Sequence, residues 1–483
     1  MNPTPIQRAA TAAATYIEQR ARHWNSLAHW HSPVWKGFNS YYHQRIAEIY
    51  RFLIPTGSVV LELGCGRGDL LAALEPSVGV GVDVSNEMIA EASRRHPHLE
   101  FTCKSAELYE NGRQFEFIIL SDLVNDLWDV QDALERLRPL CSPKTRVILN
   151  MYSRLWELPR AIGESARLIA PLPPQNWLTV EDLQNLLDLA GFEPLRHWCE
   201  ILWPIRTPLL DRLANRYLVK LWPFRGLALT NFLVARPKPR AATEPLSVSI
   251  VVPARNEQGN IEEIFRRVPR IGGRTELIFV EGNSSDDTYA EIERCIRLFP
   301  HREARLYRQS GKGKGDAVRL GFSKATGDVL MILDADMTVA PEDLPRFYEG
   351  IASGVAEFVN GVRLVYPMEK HAMRGFNLLG NKFFSQTFSW LLGQNIKDTL
   401  CGTKVLARSD YERIAAGRSY FGDFDPFGDF DLIFGAAKCN LKIVDMPIRY
   451  RERVYGETNI NRWRDGAILL RMVMFALFRI KFV

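Results

Sequence analysis

Apolar runs of strand length alternate with helix-like runs along almost the whole chain, a pattern that buries parallel strands between layers of helices. It predicts strands at Val59–Leu63, Val78–Asp83, Leu99–Cys103, Phe117–Ser121 and Val147–Met151. Two later runs, around Leu195–Leu202 and Leu227–Ala235, complete a set of seven. The alternation then breaks at ARPKPRAATEP, residues 235–245, a short, polar, proline-bearing stretch. It restarts with Val248–Pro253, Leu277–Val280, Val329–Leu333, Phe358–Val365 and Lys442–Met446. The expectation is an α/β chain of two domains: residues 1–238 with helices ahead of the first strand, a linker at 239–245, and residues 246–483 ending in an amphipathic segment. A length of 483 residues agrees, since one core rarely serves so many.

Charge and composition remove several alternatives. Hydrophobic residues make up 46% and charged residues 24%, which is a globular balance. A net charge of +5 over this length suits anionic phosphates or lipid headgroups and gives no footprint for nucleic acid. The seven cysteines are scattered and contain no Cys-x-x-Cys pair, so they read as reduced thiols. MNPTPIQRAATAAATYIEQRARHW lacks the apolar core of a signal peptide, and a cytoplasmic setting is expected. No run of about 20 uninterrupted apolar residues suggests a membrane span.

Within the first half, VVLELGCGRGDLLAAL reads as strand, glycine turn and helix. Gly64, Gly66 and Gly68 let the backbone turn sharply and approach a ligand, and Asp83 ends the next strand, where a carboxylate can bind ribose hydroxyls. The spacing is G-x-G-x-G with Glu62 two residues ahead. These features resemble class I S-adenosylmethionine methyltransferases over about residues 35–235, which implies a Rossmann-like seven-stranded sheet. By that resemblance Glu62 and the Gly64–Gly68 loop hold the methionine and ribose portion of the cofactor, and Asp83 holds the ribose. Asp122, in LSDLVNDLWD, stands at the fourth-strand position that lines the methyl-donor pocket. Where the family often places an Asp for the adenine amino group this chain has Ser105, so adenine recognition falls to backbone, Ser105 or Glu107. Tyr41 and Tyr42 are candidates either for a lid or for packing of an amphipathic helix.

The second half carries Asp334 and Asp336 in VLMILDADMTVAPEDL, at the carboxyl end of an apolar strand. Two carboxylates so placed can share a hard divalent cation, which neutralises a departing diphosphate. GKGKG, residues 311–315 and including Lys314, lacks the P-loop spacing and is expected either to cap the following helix near donor phosphates or to form a plain flexible turn. With SVSIVVPARNEQGN, DTLCGTKVL and RVYGET, these residues resemble family 2 glycosyltransferases of the GT-A fold, and in particular dolichol-phosphate mannose synthases, over about residues 246–460. The resemblance implies nucleotide contacts from Pro253, Ala254, Arg255, Glu257 and Glu281, with Mg or Mn at Asp334 and Asp336. It also implies phosphate contacts from Arg363, Arg374 and Arg453, and an acceptor-side carboxylate at Asp431. Glu281 stands where family members commonly carry Asp, and Thr458 and Asn459 replace a usual serine and lysine.

The expected function is therefore twofold: metal-dependent, inverting transfer from a nucleotide sugar to a polyprenyl phosphate, and methylation of a small molecule, sugar or lipid. An ionised phosphate acceptor needs no general base; a hydroxyl acceptor needs one, with Asp398, Asp429 and Asp431 as candidates. The alternative is transfer to a glycan hydroxyl, with the N-terminal half serving as a binding or docking module. Two apolar, sparsely basic stretches, 376–393 and 466–483, fit either an interfacial position at the inner face of a membrane or burial in the core.

Overall fold

In a computed structural model of the chain the described residues are 5–28, 33–165, 172–363, 365–366, 375–422, 428–451, 453, 455 and 462–483. The first sheet contains β1 (Val59–Leu63), β2 (Val78–Asp83), β3 (Glu100–Cys103), β4 (Phe115–Ser121), β5 (Cys141–Tyr152), β6 (Phe192–Glu200) and β7 (Thr230–Pro237). Their order is β3-β2-β1-β4-β5-β7-β6. Strands β1 to β5 pair in parallel, and β7 is antiparallel to both of its neighbours. Chain order reverses between β1 and β4, so the loops leaving these strands diverge and open a crevice at the carboxyl edge.

Ahead of the sheet lie α1 (Pro5–Ala28) and α2 (Pro33–Leu53). Helix α2 buries Tyr42, Ile46, Ile49, Tyr50 and Leu53, a stripe at helical spacing that packs on Val60, Ile119 and Phe232 of the sheet. Truncating Ile46 to alanine would remove about 2–5 kcal/mol of that packing.

The second sheet contains β8 (Ser247–Ala254), β9 (Arg274–Glu281), β10 (Glu303–Arg308), β11 (Val329–Ile332), β12 (Phe358–Val362), β13 (Lys404–Ala407) and β14 (Ile443–Pro447). The order is β10-β9-β8-β11-β13-β12-β14, with β13 antiparallel between β11 and β12. Both sheets are thus α/β and seven-stranded, as the alternation predicts for the first. The second has two strands beyond the expected five. Strand β10 reads EARLYR, an edge strand too charged to register as apolar, and β13 is only four residues long.

The chain divides into two compact units, residues 1–238 with 482–483, and residues 239–481. Residues 239–245 lie against the second unit: Ala242 N–H donates to Ala352 O at 2.7 Å. The apolar stretches form helices Gly375–Leu392 and Arg462–Ala476. Among the described residues no helix is long and apolar enough to cross a membrane. The second helix buries Leu469, Met472, Val473 and Ala476 while Leu470 and Met474 stay exposed, as does Phe478 beyond it. Core burial and an apolar exterior are both realised, on opposite sides.

Candidate active sites

At the first sheet's crevice the turn after β1 carries Gly64, Gly66 and Gly68, all at positive φ. A β-carbon on Gly66 would meet nothing within 4 Å, so open space lies beside that backbone. Gly66 N–H donates to Asp83 Oδ2 at 2.8 Å and Ser85 N–H to Oδ1 at 2.9 Å, which locks the tip of β2 to the glycine turn. Burial raises the Asp83 carboxyl above its ordinary range, and those two N–H bonds pull it back in part.

Glu62 is buried, and burial raises its carboxyl well above the usual range, opposed by the Leu71 N–H. Its Oε2 is buried without a hydrogen-bond partner among the described residues. An orphaned carboxylate oxygen and an open glycine backbone fit a ligand that brings its own donors or positive charge, as S-adenosylmethionine does.

Asp122 follows β4 with φ +54, a left-handed conformation that costs a non-glycine residue energy and marks functional loops. Tyr42 Oη donates to both of its oxygens at 2.9 Å, and Asn150 Nδ2 donates at 2.6 Å. Tyr50 Oη in turn donates to Asn150 Oδ1 at 2.8 Å. Burial pushes Asp122 up to about 7, against the Tyr42 and Asn150 bonds and Arg160. Tyr42 is thus a buried anchor of Asp122, and Tyr41 is bonded to Asn215 at 2.9 Å; neither forms a lid. Helix α1 lies over the strand ends instead. Asn25 Oδ1 accepts from Ser85 Oγ at 2.6 Å, Trp24 Nε1 donates to Asp126 at 2.8 Å, and Arg20 pairs with Asp126 at 2.8 Å. Ser105 donates to Glu107 at 3.0 Å, and Glu107 accepts from the Trp128 and Asp129 N–H groups.

The residues that sequence reasoning missed here are Asn150 and the α1 trio. A lone amide inside the apolar strand ILNMY was a readable signal for Asn150, whereas nothing local announces that α1 folds back over the crevice.

The second site gathers where β8 and β11 end. Asp336 Oδ2 accepts from Arg453 Nη2 at 2.7 Å, and Asp334 Oδ1 pairs with Lys314 Nζ at 2.6 Å. Thr338 donates through its N–H and hydroxyl to Asp336 Oδ1, at 3.1 and 2.8 Å, so the turn itself fixes that carboxylate. Burial works against the Lys314 charge, but Asp334 and Asp429 outweigh it and hold the ammonium above its ordinary range. Glu257 is buried and raised by that burial to about 7, while the Asn260 bond at 2.7 Å and Arg453 at 3.5 Å act to lower it.

Gly402, in the DTLCGTKVL segment, leaves the room that this ion pair occupies. A β-carbon there would meet Asp334 Oδ2 at 1.9 Å and Lys314 Nζ at 2.1 Å, so the ion pair rests directly on backbone. Gly315 and Gly428 touch through their α-carbons, which brings Lys314 beside Asp429. Two carboxylates at the strand edge form a donor set of the hard-oxygen kind that suits a divalent cation.

The remaining predicted residues are spread around this centre. Pro253 and buried Ala254 end β8, and exposed Arg255 follows it. Glu281 is buried at the end of β9, where it accepts from Ser284 N–H and lies 3.4 Å from Arg308. Arg363 is held by Asp398 in a two-pronged pair at 2.7 and 2.9 Å. Asp431, in the first turn of helix Asp429–Lys438, pairs with Arg418 at 2.9 Å. Arg374, Thr458 and Asn459 lie outside the described residues.

Residues 38–197 match the family model described as a methyltransferase domain, and residues 249–414 match Glycosyl transferase family 2. The chain is 27% identical over 225 residues to the dolichol-phosphate mannosyltransferase of Pyrococcus furiosus, covering 44% of this chain and 59% of that protein. It is 29% identical over 232 residues to the dolichyl-phosphate hexose transferase of Haloferax volcanii, covering 47% and 92%. With an undecaprenyl-phosphate 4-deoxy-4-formamido-L-arabinose transferase of Klebsiella pneumoniae it shares 31% over 224 residues, covering 45% and 63%. Among solved structures, a SAM-dependent methyltransferase from Thermotoga maritima aligns at TM-score 0.35 and 18% identity, over 42% of this chain and 93% of that one. The glucosyl-3-phosphoglycerate synthase of Mycobacterium tuberculosis, in complex with Mn2+ and UDP, aligns at 0.36 and 20%, over 49% and 80%.

Proposed function

The chain joins a methyltransferase domain to a family 2 glycosyltransferase domain, and from that premise we propose that the second domain transfers a hexosyl group from a nucleotide diphosphate sugar to a polyprenyl phosphate, with inversion at the anomeric carbon. The first domain transfers a methyl group from S-adenosylmethionine to a sugar, a lipid or a related small molecule.

The observation that carries the sugar-transfer reading is the meeting of Asp334, Asp336, Glu257, Lys314 and Arg453 at one strand edge. Asp334 and Asp336 would hold Mg or Mn, which when bound supplies positive charge against the diphosphate leaving group. Lys314 and Arg453 add fixed cations for the charge that grows as the glycosidic bond breaks. A phosphate acceptor is already ionised and attacks without a base, so the chain's task is alignment. Arg453, and Arg363 through the donors it keeps beyond the two given to Asp398, are assigned to acceptor phosphate. The names of the curated relatives, lipid-phosphate transferases, support this acceptor class.

In the methyltransferase domain, displacement at the methyl carbon depends chiefly on alignment. Glu62, Asp83 and Asp122 are raised by burial, and a sulfonium beside them would favour their ionised forms. Asp122, raised to about 7, is poised to take a proton from a hydroxyl acceptor near neutral pH. A place at the inner face of a membrane is supported by exposed Leu470, Met474 and Phe478 beside exposed Arg471 and Arg479.

The test is a nucleotide-sugar screen with Mn present, following donor consumption with and without a short polyprenyl phosphate. A donor consumed equally well in its absence, with sugar found on a glycan hydroxyl, would refute the acceptor. Calorimetry with S-adenosylmethionine tests the other half; absence of binding would reduce that domain to a docking module.

A further inference from the structure

The methyltransferase domain carries an apolar surface that its own fold does not bury. Between β6 and β7 the chain runs through residues 203–227, where Leu209 is 82% and Trp222 81% exposed, with Leu213, Phe224 and Leu227 exposed as well. Several large apolar side chains left exposed within one segment point to an interaction site. Leu209 has φ +70, so the backbone adopts a disfavoured conformation where its side chain stands outward.

A second stripe adjoins the first. Leu155, Leu158 and Ile162, spaced by three and four, are all exposed on the turn and helix covering Arg154–Ser165. Trp156 Nε1 donates to Leu227 O at 3.1 Å, and Ser153 N–H to Leu229 O at 2.8 Å, which stitches the two segments side by side. The helix has its apolar face towards solvent, the reverse of a helix that serves a core.

Charge decides what covers this surface. Arg206, Arg212 and Arg225 are exposed among the apolar side chains and Asp211 is the only acid in 203–227, while on the adjoining turn and helix Arg154 and Arg160 match Glu157 and Glu164, the latter paired with Arg160 at 3.0 Å. A second copy of the chain would bring like charges together, whereas an anionic bilayer takes up the aromatic and aliphatic tips and the arginines at once. We infer that residues 203–227, with helix Glu157–Ser165, form an interfacial anchor by which the methyltransferase domain docks on an anionic membrane surface, with Leu209, Trp222 and Phe224 among the headgroups.

The anchor is continuous with the methyl-donor pocket. Its trailing end runs into Thr230, whose hydroxyl lies 3.3 Å from Tyr42 Oη beside Asp122. Its leading end follows Tyr152, whose ring centre is 6.0 Å from that of Tyr42. Resting on the methyl-transfer reading above, this continuity narrows the acceptor to a lipid or lipid-linked headgroup.

Vesicle flotation of the full chain tests the anchor. Vesicles of phosphatidylethanolamine and phosphatidylglycerol in equal amounts should carry the protein up, and phosphatidylcholine alone should carry much less. Trp222→Ala with Phe224→Ala should cut partitioning about tenfold or more, because two interfacial aromatic side chains are lost. Arg206→Gln with Arg212→Gln and Arg225→Gln should remove the preference for the anionic lipid. All five side chains are exposed, so an unchanged melting temperature and unchanged S-adenosylmethionine binding confirm that the variants are folded. A double variant that floats like wild type overturns the inference. So does a double variant that turns a dimer into a monomer while floating unchanged, since the surface would then belong to a second copy. A loss produced only by Met474→Glu with Phe478→Glu also overturns it and leaves membrane docking of the other domain standing. The flotation readout itself needs neither donor, so it can fail while methyl transfer and sugar transfer remain.

Discussion

The two sites handle their carboxylates in opposite ways. At the methyl-donor crevice Asp83 and Asp122 are held by neutral donors, the Gly66 and Ser85 N–H groups, the Tyr42 hydroxyl and the Asn150 amide. Glu62 keeps one oxygen with no partner at all among the described residues. Burial raises all three. At the sugar site four carboxylates face a cation, Asp334 with Lys314, Asp336 with Arg453, Asp398 with Arg363 and Asp431 with Arg418, while Glu257 and Asp429 share Arg453 and Lys314 and are raised by burial. A sulfonium donor brings positive charge, so its site can leave negative charge uncompensated. A diphosphate with a divalent cation brings both signs, so its site must alternate them. On the functions proposed above, this difference in pairing is what the two kinds of donor would call for.

The contrast breaks most visibly at Asp336. Asp336→Ala should lower sugar transfer by about 10²–10³-fold and abolish its dependence on added Mn, because it removes a cation-binding oxygen and strands Arg453. Chelating the metal from wild type should reproduce the loss, and S-adenosylmethionine binding should be untouched in both cases. Normal turnover by the variant, measured as donor consumption, would remove the metal from the account.

Gly402→Ala probes the neighbouring Asp334–Lys314 pair without changing any charge. Its β-carbon must displace Asp334 and Lys314, since it would sit 1.9 and 2.1 Å from them. Displacement by about 1 Å at a reacting centre costs on the order of 10²-fold, so turnover should fall steeply while methyl-donor binding stays normal. A variant with wild-type kinetics would show that the pair can shift freely and has no fixed role.

Gly402 also illustrates what the sequence does and does not disclose. The glycine turn after β1 and the Asp334/Asp336 pair are legible because turn chemistry and strand periodicity are local. Gly402 stands in a quoted motif, yet its reason lies 68 positions away in the chain, in the room it leaves for Asp334. The same holds for α1. Its Arg20, Trp24 and Asn25 look like ordinary helix residues until the fold sets them on Asp126 and Ser85. Strand β10 was hidden for a different reason. An edge strand buries little, so its charged alternation resembles a loop.

On the methyl-donor side the sharper test is pH. Asp122 has an ordinary value of 3.8 when unfolded and about 7 when folded. Between these values the folded chain keeps a proton that the unfolded chain has released, so this group's contribution to stability falls as pH rises through that window. Asp122→Asn cannot ionise. Its stability should therefore decline less between pH 4 and 7 than wild type, by an amount on the order of a few kcal/mol, as read by urea unfolding across that range. Identical slopes would mean that Asp122 is an ordinary solvated carboxylate, and the contrast with the sugar site would lose its main support.

The smallest expected effect is the most selective. The Tyr42 hydroxyl donates to the Asp122 carboxylate, and such a bond favours the ionised form. Tyr42→Phe keeps the buried ring and removes only the donor, so it should cost about 1 kcal/mol when Asp122 is ionised. Below pH 7 a protonated Asp122 values that donor less, so the cost should shrink at pH 6 and grow at pH 8. Losing a bond to the charged form also moves the Asp122 pKa upward, and any base-dependent methyl transfer should inflect at correspondingly higher pH. A cost equal at both pH values would mean that the hydroxyl only packs. Neutral hydrogen-bond donors would then not be what tempers this carboxylate, and the difference in design between the two sites would rest on burial alone.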